Sequence, residues 1–254
     1  MPTLTSMLRQ FARIAAGLRR GEDQVIEEDP ELAFHWRGPM SGGQTLTIAG
    51  MNGAVCVRGV AGGEVRLAAV KRGNRWQLNG VRVAVEQTEG GLKVRTVYPR
   101  SARMGWRNNV EVNFTIEIPA GVRLVARLGN GGINVKSVDG GAELFTANGI
   151  VSIYDSGWVS AEAINGYIHA SIREPNWGRP LSFRTANGSI RVELPSSASA
   201  RIRAQTGNGF VSASFPLAIE QKRYNFLSGV LGSGGCCELL CECGNGSVHL
   251  SQAA

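Results

Sequence analysis

The densest reactive chemistry in the chain is sulfur. Four of the five cysteines fall in Cys236-Cys237-x-x-x-Cys241-x-Cys243, and the fifth is Cys56. Structural zinc sites are built from paired C-x-x-C spacings and a fourth ligand, both of which this run lacks. On an extended strand Cys237, Cys241 and Cys243 share one face with Val248, and residues two apart on a strand diverge too far for an easy disulfide. The expected role of the three is that of small buried apolar side chains. A thiolate metal site at Cys237, Cys241 and Cys243, or a disulfide, is the alternative.

Carboxylates are the second possible chemistry. Cleaving a polysaccharide needs paired acids, or a base beside an arginine. Asp139, Asp155, Glu162 and Glu174 are read as corner residues, where a turn role accounts for them. His169 and His249 occupy equivalent slots but are expected to lie several coils apart. No catalytic residue is assigned, and a carbohydrate-active enzyme is the least favoured reading.

These residues are positioned by one repeated frame. Asn-Gly recurs at Asn52, Asn130, Asn148, Asn165, Asn187, Asn208 and Asn245. Three places after each Asn stand Val55, Ile133, Val151, Ile168, Ile190, Val211 and Val248. Five places after stand Val57, Val135, Ile153, Ala170, Val192, Ala213 and Leu250. Two places before stand Gly50, Leu128, Thr146, Ala163, Thr185, Thr206 and Cys243. Every slot is small or apolar, apart from threonine two places before the Asn. A tight corner favours positive φ, which Gly reaches freely and Asn tolerates. A repeat of roughly 20 residues in one apolar register predicts a single-stranded β-solenoid, each coil covering the next. Asn-Gly between alternating strands is also a hairpin signal, so an antiparallel sandwich fits each repeat taken singly.

If three and five places after the Asn point inward, two, four and six places after it point outward. Those slots hold Ile150, Tyr154, Tyr167, His169, Arg191 and Phe210, an expected contact surface suited to a cell-surface glycan or a protein.

The rest of the chain sets bounds. It has 254 residues and a net charge of +7, and all of that excess lies before residue 111. No concentrated basic and aromatic surface points to nucleic acid, and no cofactor is implied. No apolar run is long enough to span a membrane, and no secretory signal is evident. Leu4, Met7, Leu8, Phe11, Ile14, Ala15 and Leu18 predict an amphipathic helix over 4–20, with Arg9, Arg13 and Arg20 opposite. It is expected to cover an open sheet end, or to touch a membrane surface. An acidic linker follows, so 1–33 and 34–254 are the expected units. Pro216 to Ser233 breaks the frame, and Gly232 to Leu250 reads as the final coil.

Several stretches carry a resemblance: Phe34-His35-Trp36, Gly43-Gln44-Thr45-Leu46-Thr47-Ile48, Ala69-Val70-Lys71-Arg72-Gly73, Thr146-Ala147-Asn148-Gly149, Thr185-Ala186-Asn187-Gly188-Ser189-Ile190 and Gly232-Ser233-Gly234-Gly235. In these, residues 34 to 250 resemble the bacterial putative-adhesin family, a domain of uncharacterised function related to right-handed β-helix repeats. The resemblance implies that the solenoid is right-handed β-helix-like. It also implies a non-enzymatic binding or scaffold role at the cell envelope, and carries over no catalytic residues. A cytoplasmic self-assembling scaffold is the second reading.

Overall fold

The computed structural model describes residues 33–99, 110–173, 178–235 and 237–253. The segment 4–20, the linker 22–31, the loop 100–109, Glu174 and Cys236 lie outside the described residues, and with them the expected helix. Among the described residues the chain is all-β apart from one helical turn, α1 (Arg75–Leu78). The strands are β1 (Ala33–Pro39), β2 (Thr45–Asn52), β3 (Val55–Val60), β4 (Glu64–Arg72), β5 (Arg82–Thr88), β6 (Gly91–Val97), β7 (Glu111–Pro119), β8 (Arg123–Asn130), β9 (Ile133–Lys136), β10 (Ala142–Asn148) and β11 (Val151–Ser156). They continue with β12 (Val159–Asn165), β13 (Ile168–Ile172), β14 (Leu181–Asn187), β15 (Ile190–Leu194), β16 (Ala200–Asn208), β17 (Val211–Ala213), β18 (Ala218–Arg223), β19 (Phe226–Leu231), β20 (Glu238–Asn245) and β21 (Val248–Gln252).

These strands form two mixed sheets. Sheet 1 runs β1-β4-β7-β3-β9-β11-β13-β15-β21-β17, and sheet 2 runs β18-β19-β16-β20-β14-β12-β10-β8-β2-β6-β5. Each of the seven Asn-Gly pairs of the frame joins a strand of sheet 2 to a strand of sheet 1, so these corners are not hairpins within a sheet. We call each such pair a rung. Successive rungs pair in parallel in both sheets, for example β10 with β12 and β11 with β13.

The corners stack in one column. Asn130 Nδ2 donates to Asn52 Oδ1, and the same bond links Asn148 to Asn130, Asn165 to Asn148, Asn187 to Asn165, Asn245 to Asn187 and Asn208 to Asn245, all at 2.7–2.8 Å. The reason expected for Asn is therefore corrected. Where a corner residue has positive φ it is the glycine, as at Gly131 (133°), and none of these Asn adopts it. Asn is there for its amide, which both donates and accepts and so can run as a ladder. Glycine is there for close approach as well: a Cβ on Gly131 would stand 1.7 Å from the Gly53 carbonyl oxygen.

The slots three and five places after the Asn, and two before it, line the space between the sheets. They are buried in every rung except at Ala213, on the last strand of sheet 1. The polar members are satisfied by the neighbouring corner. Thr146, Thr185 and Thr206 donate to the carbonyls of Gly131, Gly166 and Gly246. Cys243 takes the same slot, its thiol donating to Gly188 O at 3.0 Å.

The order of rungs departs from the order of the sequence. Along the stack they run 45–60, 123–136, 142–156, 159–172, 181–194, 238–252 and then 200–213. The rung expected to be final is thus inserted between two that precede it. At one end of the stack β4 and β5 pair antiparallel with β7 and β6, and β1 with β4. At the other, the frame-breaking stretch is the β18–β19 hairpin laid antiparallel on β16. The outermost strand β18 is exposed and charged, with Glu220, Lys222 and Arg223, a composition that discourages further edge pairing.

Candidate functional site

The outer face of sheet 1 carries the sequence-predicted contact residues. Parallel pairing puts Ser152, His169, Arg191, His249 and Ser212 side by side in successive strands. The spacing is about 4.8 Å per strand. Ile150 and Tyr167 sit at neighbouring corners, Val151 N donating to Tyr167 O, and are 52% and 59% exposed. Tyr154 meets His169 edge to face, with centroids 5.5 Å apart. Phe210, two rungs beyond Arg191, packs edge to face on His249 at 5.1 Å.

Polar contacts fix these rings. His169 Nε2 lies 3.4 Å from Glu193 Oε1, and Ser212 Oγ lies 2.9 Å from His249 Nδ1. Arg191 is exposed between the two imidazoles. The face thus offers a fixed fork of donors flanked by imidazoles, with an apolar and aromatic margin on either side. A guanidinium and imidazoles can hold carboxylate or hydroxyl oxygens, and flat rings can cover a sugar face or an apolar side chain.

Two expectations about this face are corrected. His169 and His249 lie only two rungs apart, with Arg191 between them, because the last rung is inserted. An acid is present on it: Glu193 stands beside the histidine row. Away from this face, Glu162 is in mid-strand β12 of sheet 2 rather than at a corner. Tyr224 was not anticipated. It is 77% exposed at the β18–β19 turn, 6.2 Å from the Phe210 ring, and belongs to the stretch where the repeat frame gives no register.

The outer face of sheet 2 is less available. Phe145, Ala147 and Ile164 form a buried apolar cluster there with Ala49, Met51 and Ala186. Beside it Glu162, Arg184 and Glu242 pair in register. Arg184 Nε is 3.0 Å from Glu242 Oε2 and Arg184 Nη1 is 3.8 Å from Glu162 Oε1, ion pairs without aligned hydrogen bonds. Burial pushes the Glu162 carboxyl above its ordinary range, against the pull of Arg184 and Arg127. These three charges pair with one another across neighbouring strands.

Cys237, Cys241 and Cys243 lie away from the candidate face, whereas Cys56 stands on it, in register with Asn134, which is itself in register with Ser152. Cys237, Cys241 and Cys243 are buried, and Cys56 is an exposed thiol. Burial pushes the Cys241 and Cys243 thiols up, so both keep their protons. A protonated thiol is a poor metal ligand.

No family model matches the chain, and no curated protein matches it in sequence. Among solved structures it is similar to one described as a putative cell adhesion protein from Clostridium sporogenes, at 16% identity and a TM-score of 0.48, covering 87% of this chain and 100% of that one. It is also similar to a putative adhesin from Bacteroides fragilis at 11% identity and TM-score 0.31, covering 86% and 96%. A putative lipid binding protein from Parabacteroides distasonis follows at 12% and 0.25, covering 87% and 97%.

Proposed function

We propose that this chain is a non-enzymatic binding protein of the bacterial cell envelope, a β-solenoid whose outer sheet 1 face contacts a cell-surface glycan or protein. The observation that carries the reading is the contiguous row His169–Arg191–His249, bordered by exposed Ile150, Tyr167, Phe210 and Tyr224. Exposed large apolar side chains gathered around a donor row are the composition of a contact surface, and the parallel ladder beneath holds them rigid. What supports the solenoid reading is the single column of seven Asn corners, crossed by every rung between the two sheets. The units 1–33 and 34–254, with a membrane-touching or end-covering helix over 4–20, belong to the same proposal. A cytoplasmic scaffold would use the same face.

The test is a glycan array together with a pull-down from envelope fractions, using wild type and the double variant Tyr167→Ala/Arg191→Ala. Both side chains are exposed, so folding stability should change by no more than about 0.5 kcal/mol each. Binding should fall at least about tenfold, the scale of a lost interface anchor. A double variant that binds like wild type removes this face. Turnover of a polysaccharide by the purified protein, lost in His169→Ala, would replace the reading with an enzymatic one.

A further inference from the structure

We propose that the rung 238–252 is an exchangeable element, and that a second copy of this chain supplies it in a rung-exchanged dimer. The inference stands on connectivity and does not depend on what the sheet 1 face binds. Strand β20 lies between β14 and β16, and β21 lies between β15 and β17. Rungs 181–194 and 200–213, neighbours in sequence, are therefore held together through a segment that follows both. The segment is hydrogen-bonded along both edges. On one side Gly188 N donates to Asn245 O and Ile190 N to Ser247 O; on the other Gly246 N donates to Asn208 O and Val248 N to Phe210 O, all at 2.8–3.0 Å. Its side chains Leu239, Cys241, Cys243, Val248 and Leu250 are buried in the core. Without it, two open parallel edges face each other across a slot one rung wide, the kind of edge that recruits a strand.

The link to this rung is built for redirection. Strand β19 lies on one side of β16 and β20 on the other, so the connection must cross the end of β16. It does so through Gly232, Gly234 and Gly235, with φ of 61°, 83° and 35°. Ser233 Oγ, 2.8 Å from Ser199 Oγ, ties it down at the crossing. Sending the rung into another copy changes this hinge and keeps every contact in the slot. The closed chain and the exchanged dimer then differ by the hinge and by the cost of association, so concentration during folding selects between them. Exchange has a consequence for the sheet 1 face. The rung brings His249, so in the dimer each row of His169 and Arg191 is completed by the partner copy.

The full chain tests this with two cysteine pairs, each in a background with Cys56→Ser and Cys236→Ser. Ser182→Cys with Leu240→Cys reports from sheet 2, and Glu193→Cys with Ser251→Cys from sheet 1. Both are register partners across the inserted rung. Their spacing suits a disulfide, which accepts Cα separations of about 4.4–6.8 Å. Refolded dilute and then oxidised, each variant should run at single-chain mass on a non-reducing gel. Refolded about 100-fold more concentrated, a covalent dimer should form that reductant dissolves, the mass-action signature of exchange. Single-chain mass at every concentration for both pairs overturns the proposal, as does a dimer in solution whose cross-link stays within one chain. The unaltered chain gives a second measurement. Isotope-labelled and unlabelled copies should form mixed dimers after joint refolding and not after mixing of folded copies. Mixed dimers from folded copies, or none from either route, would overturn it equally.

Discussion

At the scale of single residues, the Asn-Gly corner separates two roles that sequence reasoning had merged. Its position and repetition were legible, but the assignment of Asn to positive φ was not correct: the backbone demand falls on Gly and the amide demand on Asn. A hydrogen bond between equivalent side chains of different rungs leaves no mark within one repeat, so spacing alone could not show the ladder. The close approach at glycine makes a sharp prediction. Gly131→Ala places a Cβ 1.7 Å from Gly53 O at a φ of 133°, whereas Gly63, at a turn with nothing within 4 Å of a built Cβ, has room. By denaturant unfolding Gly131→Ala should cost on the order of 3 kcal/mol or more, and Gly63→Ala within about 0.5 kcal/mol. Equal costs would mean the corner column is not packed as described. The buried thiol makes another prediction. Burial first, and then the charge of Glu242, holds the Cys241 thiol protonated in the folded state. Its pKa is raised on folding, so the associated stability is complete below the unfolded value of roughly 8.5–9 and is lost as pH rises above it, by up to about 1.4 kcal/mol per pH unit. Unfolding measured at pH 7, 9 and 10 should show that decline, and Cys241→Ala should make it shallower. An unchanged slope in Cys241→Ala would place the titration elsewhere.

At the scale of elements, alternation assigned the inward faces well. Ile190, Val192, Thr185 and their equivalents line the core as the frame required. Cys243 shows how one slot accepts different chemistry: it replaces threonine and keeps the donor. The candidate face was legible to the same extent. Ile150, Tyr154, Tyr167, His169, Arg191 and Phe210 all belong to the outer side of sheet 1, because a side-chain period of two leaves them no other side. Glu162 was misplaced, since position relative to the Asn fixes a residue's face only once the preceding strand is recognised as part of the same rung. Tyr224 was missed for a related reason. The β18–β19 hairpin is antiparallel and carries no Asn-Gly, so nothing in its sequence refers it to the register of its neighbours.

At the scale of the whole molecule, the rung order could not be read from the sequence at all. Every rung presents the same corner and the same inward slots, so any order satisfies the pattern, and only the connections choose among them. This identity also makes the observed order testable. Leu239 is fully buried in β20, in register with Leu181 of β14 on one side and Ile202 of β16 on the other. Leu239→Ala removes contacts worth on the order of 2–5 kcal/mol. In a stack where each rung is stabilised by its neighbours, that loss spreads to both adjoining rungs first. Amide hydrogen exchange should therefore show reduced protection in β14–β15 and in β16–β17 together, while β10–β11, farther along the stack, stays near wild type. A stack built in sequence order makes a different forecast: 238–252 would be terminal, next to 200–213 alone, and β14–β15 would keep its protection. Wild-type exchange at Phe183, Thr185 and Val192 in the Leu239→Ala protein would thus contradict the inserted rung, and with it the contiguity of His169, Arg191 and His249 on the candidate face.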